Sequence, residues 1–252
     1  MKKPYMKKIG SFSGYNVYYV SGYVIRREID KTFPNYGSHR SFKFIPKNEF
    51  WIDYENRNKR EAKYIIINFL AFEKEIEKGK NVDDAIKIAN MIEKRERHKS
   101  KWIKKLRKIK IKEKLLKKIH EKRLFGKITD KLKIWLIDGD IVRSLFDVDF
   151  NQGGHGYVYP FIPKNEVWVD DYLYKKDITF TLVHELHERR LMIKGWKYDN
   201  VGIAKIARRK GDNKKYSHPA AEDLEFWLRH HARSIKRVLF KEIRLNEKAS
   251  SA

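Results

Sequence analysis

The sequence predicts an α+β protein: two tandem copies of a small, mostly antiparallel sheet-plus-helix unit joined by a long basic helix. Three observations carry this expectation. Residues 44–53, FIPKNEFWID, return at 161–170 as FIPKNEVWVD, with eight of ten positions identical. In each copy, β-branched and aromatic runs punctuated by Gly precede a stretch with helical apolar spacing. Between the copies lies KRERHKSKWIKKLRKIKIKEKLLKKIHEKR (94–123), with sixteen Lys/Arg against three Glu. The expected divisions are 1–93 for the first unit, 94–126 for the linker and 127–252 for the second unit.

Each copy opens on an expected strand pair, 17–20 with 23–27 and 133–137 with 140–143, because β-branched residues flank a Gly. The repeat extends through this region. YYVSGYVIRREIDKTF (18–33) aligns with WLIDGDIVRSLFDVDF (135–150), matching Gly22 with Gly139, Arg26 with Arg143 and Phe33 with Phe150. A His after Gly-rich residues follows in both, GSHR at 37–40 and GGHG at 153–156. Pairing His39 with His155 requires one inserted residue before the second FIPKNE block. Extended stretches are expected at 42–45 and 157–161, each stopped by Pro, and FWID and VWVD alternate as a further strand. Helices are expected over 59–78 and 175–193. In the second, Ile178, Val183, Leu186 and Leu191, with Phe180 and Leu182, form a broad buried face. Downstream, KNVDDAIKIA (80–89) faintly echoes DNVGIAKIA (199–207). In the bridge, Trp102, Leu106, Ile109, Leu116 and Ile119 mark a loose helical stripe.

Charge sets the expected partner. Lys+Arg number 58 against 33 Asp+Glu, a formal net charge of +25. A field of this sign attracts polyanions, so nucleic acid is the expected partner and an anionic membrane surface the second. Lys101, Trp102, Lys104, Lys105, Arg107, Lys108, Lys110 and Lys112 are the expected contacts, cations for phosphates and an indole for stacking. Lys meets phosphate as a point charge, so the binding is expected to be non-specific. The plainer alternative is a helix that packs its Ile and Leu inward while its lysines stay solvated.

The chain has no Cys. Disulfides and thiolate ligands are therefore excluded, and any metal must be held by His and carboxylates. A Cys-free composition rich in Lys, Glu and Ile suits a cytoplasmic protein of a heat-loving organism. No run of eighteen apolar residues predicts a membrane span, and MKKPYMKKIGSFSG at the start lacks the long apolar stretch of a secretory signal.

The second helix carries His184-Glu185-Leu186-His187-Glu188. Aligned without gaps from the FIPKNE block, this segment falls opposite Ile67-Asn68-Phe69-Leu70-Ala71. Every titratable group of the second copy thus faces an apolar or neutral residue in the first. A solvated face would be polar in both copies, so this face is expected to point inward, onto a site. Buried charge is tolerated when paired or bound to metal. His184 and Glu188, four apart, are neighbours on the helix and suit one ion, with His187 the alternative ligand. Glu185, on the neighbouring flank, is placed to take a proton from water beside the ion. SHPAAEDLEFWLRHHAR (217–233) offers a second pair at the same spacing, His218 and Glu222, behind the helix-start signals Ser217 and Pro219. Zn²⁺ suits two His and one or two carboxylates, and Mn²⁺ or Fe²⁺ also fits such donors. His155 is the candidate substrate contact, although its counterpart His39 argues for a structural role. The plainer alternative for HELHE is a set of surface ion pairs among Glu185, Glu188, Arg189 and Arg190.

The stretch NEVWVDDYLYKKDITFTLVHELHE resembles the core of zincin metallopeptidases, in particular the short ImmA/IrrE-like type, over residues 165–193 and more loosely as far as Glu222 and Glu225. Phe180-Thr181-Leu182 and His184-Glu185-Leu186 match the motif. The resemblance implies a zinc ligand at His184, a general base at Glu185 and a ligating Glu from a later helix. The fourth and fifth motif positions differ, being His187 and Glu188 in place of Gly and His. Three functions stay open: a zinc-dependent hydrolase, most naturally a peptidase, held near nucleic acid; a non-catalytic nucleic-acid-binding protein with a structural or vestigial metal site; and a metal-dependent nuclease.

Overall fold

The computed structural model describes residues 4–57, 61–110, 112–126, 131–198 and 215–249. In chain order they form β1 (Tyr5–Phe12), β2 (Tyr15–Val20), α1 (Gly22–Glu28), β3 (Tyr36–Ser38), β4 (Glu49–Asp53), α2 (Glu61–Glu77), α3 (Val82–His98), α4 (Lys101–Leu106) and α5 (Lys112–Ile119). The second half adds β5 (His120–Leu124), β6 (Lys133–Ile137), α6 (Gly139–Leu145), β7 (Gly153–His155), β8 (Glu166–Asp170), α7 (Lys175–Ile193), α8 (Ser217–His230) and α9 (Ile235–Ala249). The class is α+β, with two four-stranded sheets in orders β1-β2-β4-β3 and β5-β6-β8-β7. In each sheet the central pair is parallel and the two outer pairs are antiparallel.

The chain forms two compact units. The first comprises Met1–Ile25, Phe33–Ile119 and Asp138–Asn151; the second comprises Arg26–Thr32, His120–Ile137 and Gln152–Ala252. Each unit holds one sheet. The stretch that follows β2 and its counterpart after β6 each belong to the unit built around the other copy's sheet.

Several sequence expectations are corrected. Residues 23–27 and 140–143 are helical rather than extended. Ser21 Oγ accepts the Val24 N–H at 3.3 Å and Asp138 Oδ1 accepts the Ile141 N–H at 3.0 Å, so a capping side chain starts each helix. The partners of β2 and β6 are instead β1 and β5, polar segments without clean alternation. Residues 42–45 and 157–161 form turns, and the short strands precede them at β3 and β7. The basic bridge is not one long helix. It is divided among the end of α3, α4, α5 and the start of the second sheet, with Ser100 extended (φ −61°, ψ 130°) before α4. Ile103, Leu106 and Ile119 of this stretch are buried. The faint echo at 199–207 lies outside the described residues.

The two copies keep one register across β2, β3 and β4 and their counterparts β6, β7 and β8, whereas β1 and β5 are offset by 115 residues (120 − 5). Val17 pairs with Phe50 as Ile134 pairs with Val167, and Tyr18 with Trp51 as Trp135 with Trp168, a spacing of 117 residues at each position (134 − 17, 167 − 50). The turns agree: the Phe42 N–H donates to Ser38 O at 2.9 Å, and the Tyr159 N–H to His155 O at 3.0 Å. No residue is inserted. The counterpart of His155 is therefore Ser38, and the sequence pairing with His39 was off by one.

In the first unit, Val17, Phe50 and Ile52 of the sheet pack on Ala62, Ile65, Ile66 and Phe69 of α2. The Phe50 and Phe69 rings stack at 3.9 Å. Val20, Ile25, Phe33, Ile45 and Trp51 form a further cluster of that unit. In the second unit Val167, Trp168 and Val169 are fully buried, and α7 lies against β7 and β8. Burying each such side chain contributes roughly 1.5–3 kcal/mol.

A charge cluster is repeated in both units. In the first, Arg97 donates to Glu61 at 2.7 and 2.9 Å, to Glu93 at 2.8 Å and to Asp140 at 3.0 Å, and Arg143 pairs with Glu61 at 2.8 Å. In the second, Arg229 donates to Glu225 and Asp177, each at 2.7 Å, and Arg26 pairs with Asp177 at 3.6 Å. Each cluster joins a helix Arg to the Glu four residues before it, to an acid near the start of α2 or α7, and to the repeat-equivalent Arg26 or Arg143. Removing one partner strands the others in a low-dielectric interior. Arg97→Met is expected to lower unfolding free energy by about 3–5 kcal/mol in urea titrations; a loss below about 1 kcal/mol would count against the cluster as a fold determinant. Burial raises the pKa of Glu61, but Arg143 and Arg97 overcome it and hold the carboxyl at about 2. A depressed folded-state pKa adds stability above the unfolded value, lost as pH falls from about 4.5 through 2. Glu61→Gln should flatten the acid limb of the stability profile in that window.

Candidate metal centre

The α7 helix packs His184, Glu185 and Glu188 inward, as the comparison with the apolar sister helix predicts. Two glycine-permitted features make room for them. At Gly153 of β7 a Cβ would stand 3.0 Å from Thr181 Cγ2 and 3.1 Å from Glu185 Cγ, so only Gly lets α7 approach the strand here. Gly195 (φ +83°) then ends α7 in the left-handed conformation.

The centre forms around one carboxylate. Glu188 Oε2 lies 2.7 Å from His218 Nδ1 and 3.8 Å from His184 Nε2, and the two imidazole nitrogens are 3.2 Å apart. A tetrahedral zinc site with bonds near 2.0–2.1 Å has ligand–ligand edges of about 3.3 Å. The triangle brackets that size, so the donors fit one small divalent cation.

The outer faces of these three groups are each engaged. His184 Nδ1 meets Glu225 Oε2 at 3.1 Å, and Glu225 is gripped by Arg229. His218 Nε2 faces Glu222 Oε1 at 3.6 Å. Both imidazoles thus turn one nitrogen toward a carboxylate and the other to the shared point; for His184 the outer contact is a hydrogen bond, the arrangement that fixes the tautomer of a metal-ligating His. On the far side, the Tyr157 N–H donates to His155 Nδ1 at 3.3 Å, so His155 Nε2 carries the proton and donates to Glu188 Oε1 at 3.0 Å. The most open member is His218, whose side chain is 24 % exposed, against 3 % for Glu188.

The electrostatics favour positive charge at this point. Four carboxylates, Glu185, Glu188, Glu222 and Glu225, crowd three imidazoles and one guanidinium. Burial opposes the ionised form of Glu188, yet hydrogen bonds from His155, His184 and His218 outweigh it and hold its pKa well below the usual range. Burial likewise opposes charge on His184, but Glu188 and Glu225 raise its pKa well above the ordinary imidazole value. The Glu185 carboxylate makes no hydrogen bond or ion pair among the described residues. Burial first and the Glu188 charge second push its pKa up to about 8.

Of the expected ligands, His184, Glu188 and His218 converge. Glu222 stands behind His218, turned to its outer nitrogen. His187, the alternative ligand, points away: its Nδ1 meets Glu242 at 3.0 Å, beside Arg190, because it lies on the flank of α7 that faces α9. His155 is fully buried behind Glu188 and does not stand where substrate would meet it. Lys101, Trp102, Lys104, Lys105, Arg107, Lys108, Lys110 and Lys112 are all exposed. Sequence reasoning missed the supporting roles of Arg229 and Asp177. The Glu-x-x-x-Arg spacing shared by Glu93/Arg97 and Glu225/Arg229 was the signal that could have found them.

The same spacing aligns α3 with α8. Glu222 then corresponds to Asn90 and Glu185 to Asn68, and in the first unit these amides bond each other, Asn68 Nδ2 to Asn90 Oδ1, at 2.9 Å. A neutral pair occupies the place where the second unit sets two carboxylates.

Glu225→Gln is expected to weaken Zn²⁺ binding about 10–100-fold in competition titrations with a chromogenic chelator; unchanged affinity would remove Glu225 from the centre. Comparison with protein-family models, with curated proteins and with solved structures returns no match.

Proposed function

We propose that the second unit is a metal-dependent hydrolase of zincin-like character. It holds one divalent cation, Zn²⁺ by the chemistry of its donors, between His184 Nε2, His218 Nδ1 and Glu188 Oε2. The observation that carries this reading is the carboxylate behind each imidazole, Glu225 at 3.1 Å from His184 and Glu222 at 3.6 Å from His218. Surface ion pairs have no need of such an outer layer. A bound cation supplies a Lewis acid that polarises a carbonyl oxygen and makes water more acidic.

The chain's own residues do the rest. Glu185, whose carboxylate is buried and without a hydrogen bond among the described residues, takes a proton from water and returns it to the leaving group; burial and the Glu188 charge raise its affinity for that proton. Glu225, neutralised by Arg229, holds the His184 ring in one orientation. His155 holds Glu188 so that Oε2 faces the ion. Substrate enters on the His218 side, where the cluster is least covered. The likeness of residues 165–193 to the zincin core supports a peptide bond as the target. A carboxylate at Glu188, in place of the motif's His, lowers the net charge of the ion and its ligands.

A bracing metal is the second reading, favoured by the depth of Glu188. One variant separates the two. Glu185→Gln is expected to keep the metal, measured by mass spectrometry of the purified protein, and to lower kcat on quenched-fluorescent peptide pools at least about 100-fold. Full metal occupancy with no hydrolysis in either protein would favour bracing. Nucleic-acid association through the exposed cations of α4 and the following turn accompanies the hydrolase. Replacing Lys104, Lys105, Arg107 and Lys108 by Gln should lower the slope of log affinity against log salt by about 3; an unchanged slope would move the contact elsewhere.

A further inference from the structure

The α9 helix has two unlike faces. Leu239, Glu242, Ile243 and Asn246, at helical spacing, are buried. The opposite side carries Arg233, in the turn before the helix, then Lys236, Arg237, Lys241, Arg244 and Lys248, all exposed. None of these six cations forms an ion pair or hydrogen bond with another described residue. Arg190 and Lys31, by contrast, pair with Glu242 and Asp223. Unpaired like charges three and four residues apart repel and destabilise a helix, so this face is held at a cost that an anionic partner would relieve.

Aromatic rings accompany the charge. At the end of α8, joined to α9 by the four residues His231 to Ser234, Phe226 and Trp227 are 39 % and 43 % exposed. His231 lies parallel on Trp227, with centroids 4.3 Å apart and planes at 13°, and His230 meets Phe226 edge-on at 4.6 Å. On α9 itself Phe240 is exposed among the cations. It is steadied edge-on by Phe125 at 6.1 Å and lines a groove with Arg237, Lys241, Arg244, Leu245, Lys248 and one carboxylate, Glu247, so cations outnumber the acid four to one.

We propose that the outer face of α9, with the ring pair closing α8, binds single-stranded nucleic acid. Phosphates meet the cations while unstacked bases lie on Trp227 and Phe240. A duplex hides its base faces and would leave the rings unused. An anionic membrane would call for a continuous apolar face beside the charge, whereas here separate rings, Phe240 on α9 and Phe226 and Trp227 on α8, are set beside six cations. This surface is distinct from the α4 cations, lies on the unit that carries the metal centre, and does not depend on the hydrolase reading.

The test is fluorescence anisotropy of a labelled twenty-nucleotide oligothymidine titrated with the full chain between 50 and 200 mM KCl. Replacing Arg237, Lys241, Arg244 and Lys248 by Gln is expected to lower the salt slope by about 3, and Trp227→Ala to weaken binding about tenfold with the slope unchanged. A blunt duplex of equal length should compete poorly. Because all the substituted residues are exposed, folding should survive; should the quadruple variant melt early, Lys241→Gln and Arg244→Gln taken singly are each expected to lower the slope by about 0.7. The proposal is overturned if the α9 variants keep the parent slope, if Trp227→Ala binds as the parent does, if the duplex competes equally, or if only the α4 variant loses binding. His184→Ala should leave oligonucleotide binding intact, which separates failure of this surface from failure of the metal centre.

Discussion

Everything in the second unit converges on the carboxylate of Glu188. It is buried mid-helix, and an ionised carboxylate in such a place is tolerated only if both oxygens are engaged. Oε1 takes the proton-bearing nitrogen of His155, and Oε2 faces His184 and His218. His184 is in turn oriented by Glu225, and Glu225 by Arg229, which also holds Asp177 near the start of α7, while Glu222 stands 3.6 Å from His218 Nε2. The path from the first turn of α7 to the centre is thus a continuous series of charge-assisted contacts. Such networks rigidify when fully satisfied and fail together when one member is removed.

The duplication gives this network an internal reference. Both units keep the Arg-centred charge cluster, so the cluster belongs to the fold. Only the second adds His184, Glu188, His218 and His155, opposite Ile67, Ala71, Ile86 and Ser38. At the two remaining positions the first unit substitutes the Asn68–Asn90 amide pair for Glu185 and Glu222. Amides satisfy each other without net charge and ask for nothing further. Carboxylates in the same two places cannot satisfy each other in that way, and each feels the charge of Glu225 as well. The divergence between the copies therefore lies in what the shared pocket must neutralise, and the backbone that frames it is common to both.

Much of this was legible in the sequence, for identifiable reasons. The α7 bounds and the FWID and VWVD strands followed from periodicity, and the inward turn of HELHE followed from its apolar sister. The α1 and α6 helices were missed because Val24, Ile25, Ile141 and Val142 read as strand, while the decisive caps, Ser21 and Asp138, are single polar residues. The β1 strand was missed because its Lys-rich, mostly exposed sequence lacks alternation. The long basic helix was broken by local backbone geometry at Ser100 that charge runs do not reveal. His155 was misread because two Gly-His turns looked alike, and only the strand register pairs it with Ser38. Glu225 and Arg229 act across elements, and pairing across elements is what a linear pattern hides.

The most direct measurement is X-ray absorption at the zinc edge on the full chain loaded with one equivalent of Zn²⁺. The account predicts a four-coordinate shell of nitrogen and oxygen near 2.0 Å with outer-shell scattering from two imidazoles, reduced to that of one in His218→Ala. A six-coordinate, water-dominated shell, or a spectrum that His218→Ala leaves unchanged, would contradict it.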